Sequence, residues 1–339
     1  LNASLFDLFD WDAIYLQLLD YKLKRTWSNL ALDKHRLRQF AQKNDWYTLY
    51  IPASALAVKQ FSDVLYQQSL LIQLLCLYTD AFYQRLKAAY EGQFYETTWV
   101  DEKNGSMQDE YQFKIDNTDD GKVYEQKLQQ LKGFIEAAQF AKAQQWNKTN
   151  DNNITAICFE PHLYYPIMTI LKDDSLPVKM QPLAMNEDSE IRFVHDLQQA
   201  YDNGKLQEWI GDKDIYLLRN AANKAKGLGF ALAGNFYPDF LLWVADKETD
   251  KQWLTFIDPK GIRNMSLNDP KFGLANEIKK LEKDCAIDIT LNSFILSITN
   301  KKDAPHLQTL SDEELRERHI LFMEDNNYLK QLVALVLKY

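Results

Sequence analysis

The stretch from Asn235 to Gly261 constrains the fold of this 339-residue chain more than any other. It reads NFYPDFLLWV, then ADKETDK, then QWLTFIDPKG. Two apolar runs rich in Phe, Leu, Trp and Ile around a short charged segment predict a buried β-hairpin. With the turn centred on Lys247–Asp250, an antiparallel register sets Val244 opposite Trp253 and, followed back, Asp239 opposite Asp258. Opposed residues share a face of the sheet, with Cβ atoms roughly 5 Å apart. Strand alternation puts Lys260 on that same face. Facing carboxylates destabilise a sheet unless something positive sits between them. A hard divalent cation such as Mg²⁺, which takes one or two carboxylates plus water and phosphate oxygens, meets that need. Pro259 has no N–H and is expected at a strand end or edge; its carbonyl is a further candidate ligand. The other reading is two Asp at solvent-facing strand ends, where Asp beside Pro is common.

Composition narrows the class. The length is enough for two domains with real cores. A hydrophobic content of 46% and a charged content of 26% are those of an ordinary soluble globular protein. No run of about 18 apolar residues is present, so no membrane span is expected. The first residues, LNASLFDLFDWD, lack the basic start and cleavage site of a signal peptide. Cys76, Cys158 and Cys285 lie far apart and match neither a zinc ladder nor a disulfide framework, so a cytoplasmic, reducing setting is the default. The net charge of −9 argues against a broad nonspecific DNA binder. Between Lys213 and Lys283, however, 12 Lys and Arg outnumber 9 Asp and Glu, which leaves room for a local basic groove.

Along the chain, LFDLFDWDAIYLQLLDYKLKRTW, DKHRLRQFAQK (with Asp33 as N-cap) and the long stretch from Ser54 to about Tyr90 predict helices. QFYETTWV and EYQFKI around Asn104-Gly105 predict a projecting hairpin. DNTDDGKVYEQK fails as an EF-hand, because Thr118 and Lys127 occupy ligand positions, and reads as a solvated acidic turn. YEQKLQQLKGFIEAAQFAKAQQW predicts one helix with Gly133 as its weak point. The Asn-rich segment from Asn147 to Thr155 is the expected domain boundary. It divides a mainly helical linker or coupling domain, residues 1–150, with a small β-hairpin, from a second domain, residues 151–339. In the second part, Asn186 or Ser189 can cap a helix carrying Glu190, KDIYLLRN is a strand, and Gly227 and Gly229 fall close to the start of the central hairpin. NEIKKLEKD is a helix, DITLNSFILSIT a strand, and the last 29 residues a helical region. The five histidines, His35, His162, His195, His306 and His319, show no ligand spacing.

Pro238-Asp239, an apolar stretch, then Asp258-Pro259-Lys260 resembles the signature of the PD-(D/E)XK nuclease superfamily. In order, HLYYPIM, LAMNEDSEIRFVHDL, DIYLLRN, GLGF, FYPDFLLWV, FIDPKG, LNSFILSIT and HILFMEDNNYL resemble the C-terminal nuclease region of DEAD/DEAH-type helicases. Such regions occur in type III restriction subunits and related phage-defence proteins. The resemblance covers about residues 155–339 and implies an α/β, restriction-endonuclease-like core. It implies Asp239 and Asp258 as metal ligands for Mg²⁺, with Mn²⁺ able to substitute, and Lys260 as the catalytic lysine. Glu190 would complete the metal shell through water, or else be an exposed capping residue. Arg219, Asn220, Lys224 and Lys226 form an acid-free basic stretch that contacts phosphate or is a solvated loop. The resemblance implies DNA as partner, with other defence-system subunits alongside. The helicase motor lies N-terminal in that family, and no GxxxxGK[ST] loop is present, so the chain is expected to be a C-terminal fragment without ATP hydrolysis of its own.

The function expected on this basis is metal-dependent hydrolysis of DNA phosphodiester bonds within a restriction or anti-phage helicase–nuclease. The alternatives are a non-catalytic DNA-binding or coupling module of the same assembly, and an interaction scaffold built on the helical half.

Overall fold

The computed structural model describes all residues except 2, 44, 95–99, 150–152, 222–226, 230–235, 264, 266–268, 285–287 and 339. The chain divides into two compact units, residues 1–94 and 95–339.

The first unit is helical. Helices α1 (Trp11–Lys24), α2 (Lys34–Ala41) and α3 (Phe61–Glu91) enclose a core of Phe6, Phe9, Trp11, Ile14, Leu18, Val64, Leu71 and Leu75. Asp10 and Asp33 cap α1 and α2, accepting from Ala13 N at 2.9 Å and Arg36 N at 2.8 Å. Each satisfies a backbone donor that the first turn leaves free. The long third helix begins at Phe61, later than its apolar stripe suggests, after a 3₁₀ turn over Ala53–Leu56.

The second unit is a mixed α/β structure. Strand β1 (Gln112–Ile115) is followed by helices α4 (Asp119–Glu136) and α5 (Phe140–Thr149). Then come β2 (Ile154–Ile157), β3 (Ile167–Ile170), β4 (Val178–Gln181), α6 (Asp188–Asp202) and α7 (Lys205–Ile210). The central strands are β5 (Asp214–Arg219), β6 (Phe240–Ala245) and β7 (Gln252–Lys260), followed by α8 (Leu274–Asp284) and β8 (Thr290–Ser297). Helix α9 (Asp312–Glu317), β9 (Ile320–Phe322) and α10 (Tyr328–Leu337) complete it.

The five-stranded sheet has the order β5-β6-β7-β8-β9. Its first two pairings are antiparallel and its last two parallel. Strand alternation buries both faces. Phe240, Leu242, Ile257, Phe294 and Leu296 face α6, α7 and α10, while Leu241, Phe256 and Leu291 face α8 through Leu274 and Ile278. A further core under α4 and α5 joins Tyr124, Leu131 and Trp146 to Ile154, Met168 and Val178. No helix among the described residues is long and apolar enough to cross a membrane.

Several expectations are corrected. Strand β1 pairs with β4, Phe113 opposite Met180, while most of its expected hairpin partner, residues 95–99 of 93–100, lies outside the described residues. That pairing and the core under α4 tie residues 111–146 to the strands that follow. The division therefore falls at Phe94/Tyr95 instead of near residue 150. The helix expected over residues 124–146 is two helices, broken not at Gly133 but where Ala138 takes a left-handed φ of 52°. The acidic turn opens α4, with Thr118 accepting from Gly121 N at 3.1 Å. The C-terminal region is not all helical, because Ile320–Phe322 joins the sheet beside Ile295–Ser297.

Candidate active site

The central hairpin takes the register read from its sequence. Val244 pairs with Trp253, and the ladder runs back to Phe240 opposite Ile257. Asp239 and Asp258 are one step beyond that last pair, at the C-terminal end of β7. That step sets both side chains on one face, close enough for the Asp258 charge to act on the Asp239 carboxyl. Lys260 shares their face and donates to Asp258 Oδ2. Pro259 lies one residue before the end of β7, where pairing with β6 has already stopped, so its missing N–H breaks no bond to β6.

Two contiguous acids in a partly buried place cannot both ionise at ordinary cost. Burial, and then the charge of Asp258, push the Asp239 carboxyl up to about 8. Burial alone would raise Asp258 too, but Lys260 and Lys271 outweigh it and hold that group below the usual carboxylate range. Burial lowers the Lys260 ammonium from its ordinary value, and the nearby Lys271 charge adds to the effect.

Arg219 ties the other side of the site together. Its side chain is only 5% exposed, and it crosses the end of the sheet from α6 to the hairpin. It donates through Nη2 to Glu190 Oε1 at 2.7 Å, through Nη1 to the Asp239 carbonyl at 2.6 Å, and through Nε to the Ala184 carbonyl at 2.7 Å. Asp239 Oδ1 is a further 3.5 Å contact of Nη1. The Arg219 backbone N–H donates to His162 Nε2 at 2.8 Å. Burial pushes that imidazole down to about 3, so it is a neutral acceptor. Asn220 clamps the neighbouring loop, donating to the carbonyls of Leu228 (2.7 Å) and Pro238 (2.8 Å) and accepting from Ser106 Oγ (2.9 Å). A Cβ at Gly229 would meet the Tyr237 ring at 2.4 Å, so a larger residue there needs that ring to move.

The residues expected to act divide accordingly. Asp239, Asp258 and Lys260 come together. Glu190 is neither exposed nor free. It is buried at the third position of α6, where Oε2 accepts from Asn186 N (2.6 Å) and Glu187 N (3.3 Å) while Oε1 is held by Arg219. Glu187, and not Asn186 or Ser189, is the N-cap. Arg219 and Asn220 are buried parts of the frame, with inward-directed donors, and do not form a solvated loop. Lys224 and Lys226 lie outside the described residues. The Pro259 carbonyl accepts from Ser189 Oγ at 2.9 Å, which leaves it one lone pair.

One residue at the centre has no place in the sequence reading. Lys271 Nζ reaches Asp258 Oδ2 at 3.1 Å from the 3₁₀ turn Pro270–Gly273 that leads into α8. The signal for it was a repeated tripeptide, since Asp269-Pro270-Lys271 duplicates Asp258-Pro259-Lys260. Beside Arg219 opens a cleft of about 840 Å³, lined among others by Ser106, Gln108, Tyr164, Gln181, Asn186 and Asn220.

The donor chemistry fits a hard cation. The two facing carboxylates offer oxygen ligands of the kind Mg²⁺ prefers, and a positive charge between them relieves their mutual repulsion. No cluster of three or more His, Cys, Asp or Glu that could hold a metal occurs among the described residues, so water and substrate oxygens would have to complete the coordination shell. No protein-family model, curated protein or solved structure matches the chain.

Proposed function

We propose that residues 95–339 carry a metal-dependent deoxyribonuclease of the PD-(D/E)XK type, which hydrolyses DNA phosphodiester bonds as the C-terminal part of a restriction or anti-phage helicase–nuclease. The observation that carries this reading is the β6–β7 register, which sets Asp239 and Asp258 opposite each other one step beyond the last pair, with Lys260 donating on the same face. Mg²⁺ or Mn²⁺ held by Asp239 and Asp258 would polarise the scissile phosphate and lower the pKa of water. Lys260 orients the attacking water and offsets charge that develops on the phosphoryl oxygens. Its lowered proton affinity suits a group that exchanges protons with water. Arg219 is a positioning residue. It grips Asp239 at both carbonyl and carboxylate and so fixes the direction in which that ligand points. Ser189 does the same for the backbone between Asp258 and Lys260.

The test is incubation of plasmid, linear and single-stranded DNA with the protein in Mg²⁺, Mn²⁺ or EDTA, beside Lys260→Ala and Asp258→Ala. Cleavage is expected with metal only, and each variant should lose roughly 10²–10⁴ of the rate. Undiminished cutting by Lys260→Ala would sink the assignment. Salt-sensitive DNA binding without metal-dependent cleavage would replace the enzyme with a binding or coupling module.

A further inference from the structure

Two ammonium groups converge on one oxygen. Lys260 and Lys271 both donate to Oδ2 of Asp258, from opposite ends of a twelve-residue segment that starts at the end of β7. Their accessibility differs. The Lys260 side chain is 19% exposed and that of Lys271 is 34%. Lys271 also has its anchoring fixed in the backbone, because Asp269 Oδ1 accepts from Lys271 N at 2.9 Å. The aliphatic stem therefore rises from a held turn, and its tip lies 5.5 Å from the Phe236 ring.

Charge shows what this arrangement does. When all are ionised, Glu190, Asp239 and Asp258 are matched by Arg219, Lys260 and Lys271. In that state these six groups balance with no metal among them, and a proton kept on Asp239 only adds positive charge. A divalent cation entering between the two aspartates brings two uncompensated charges into a partly buried place, which is costly unless a cation leaves or an anion arrives. Arg219 is buried and fully engaged, and Lys260 is the more enclosed lysine, so Lys271 is the group free to leave. A phosphodiester supplies the missing anion.

We infer that Lys271 is a positioning residue that holds the cation's place on Asp258 and transfers its ammonium to a non-bridging oxygen of the DNA phosphate when metal and substrate bind together. This rests on the proposed metal-dependent nuclease. It makes metal and DNA binding mutually reinforcing, since each removes the obstacle to the other. No covalent step is involved. A salt bridge to a carboxylate is exchanged for one to a phosphate.

The experiment is calorimetric titration of Mn²⁺ into the wild-type protein, Lys271→Met and Lys271→Gln, alone and with a phosphorothioate DNA duplex. Asp239→Ala serves as the control that Mn²⁺ enters this site, and thermal unfolding as the check that each variant folds. Without DNA, both Lys271 variants should bind Mn²⁺ about tenfold more tightly than wild type, the effect of removing one neighbouring like charge. The duplex should tighten Mn²⁺ binding in wild type and do so at least about threefold less in the variants. Equal Mn²⁺ affinity in wild type and variants, or an unchanged effect of DNA, overturns the role of Lys271 while leaving the metal site standing. Absence of Mn²⁺ binding in every protein overturns the metal site itself, and the inference with it.

Discussion

The β6–β7 hairpin carries acid–base pairs at both ends, and the two ends differ in one physical variable. At the turn, Lys247 meets Asp214 at 2.9 Å and Lys213 meets Asp246 at 3.6 Å, with the Lys247 side chain 68% exposed. Water screens the Lys247–Asp214 pair, and either partner is solvated if the other is removed. At the open end, Glu190, Asp239, Asp258, Arg219, Lys260 and Lys271 use the same types of group under a protein roof. There each charge depends on its partners for what water would otherwise supply. The same strands therefore hold an inert end and a chemically poised one. Burial makes the difference, since residue type is shared.

The comparison is tested most severely at Arg219. Arg219→Leu strands two carboxyl groups at the open end and should cost about 3–5 kcal/mol, read as a fall in the urea unfolding midpoint. A loss no larger than that of a surface substitution would show that the open end is as well solvated as the turn.

Smaller per step, though spread over a wide window, is a dependence on pH. The folded Asp239 carboxyl keeps a proton to about 8, whereas the unfolded one releases it in the ordinary carboxylate range. Between those values the folded state binds more protons. Stability of the metal-free protein should therefore fall as pH rises through that window, by up to about 1.4 kcal/mol per pH unit. Asp258 acts in the opposite sense, because its lowered carboxyl contributes stability that is lost only as pH falls below the ordinary range. Asp239→Asn should flatten the slope above the carboxylate range, and saturating Mg²⁺ should flatten it in the wild type. A slope that survives in Asp239→Asn would place its origin elsewhere.

The smallest effect belongs to the turn. Lys247→Ala should leave the urea midpoint unresolved from wild type, and any shift seen at low salt should vanish as salt is raised. A salt-independent shift would mean that this end is less exposed to solvent than its surface area indicates.

The sequence exposed those parts of the structure that depend on neighbours along the chain. The hairpin register was legible because two apolar runs and a charged turn leave one antiparallel pairing that buries both faces, so Asp239, Asp258 and Lys260 could be brought together by counting. Caps at Asp33 and strand β5 were legible for the same local reason. The break before α5 was not, because Ala138 takes its left-handed conformation with no Gly or Pro to announce it. Strand β9 is three residues long and owes its extended form to the parallel neighbour Ile295–Ser297. Glu190 shows the limit most clearly. Its place on a helix could be read, but its engagement by Arg219, 29 residues later, is a property of the packed molecule.

Strand β1 bears on how this gene can be dissected. A fragment trimmed to begin after residue 150, where the polar Asn-rich segment invites a cut, would lose the partner of β4 and with it Ser106. Ser106 Oγ holds both Asn220 Oδ1 and Ala221 N, and Asn220 in turn holds the carbonyl next to Asp239. Such a fragment would keep every acid and every lysine of the site and still misplace them. Silence from it in a cleavage assay would report a missing strand, whereas a fragment that keeps the whole compact unit, residues 95–339, puts the chemistry to a fair trial.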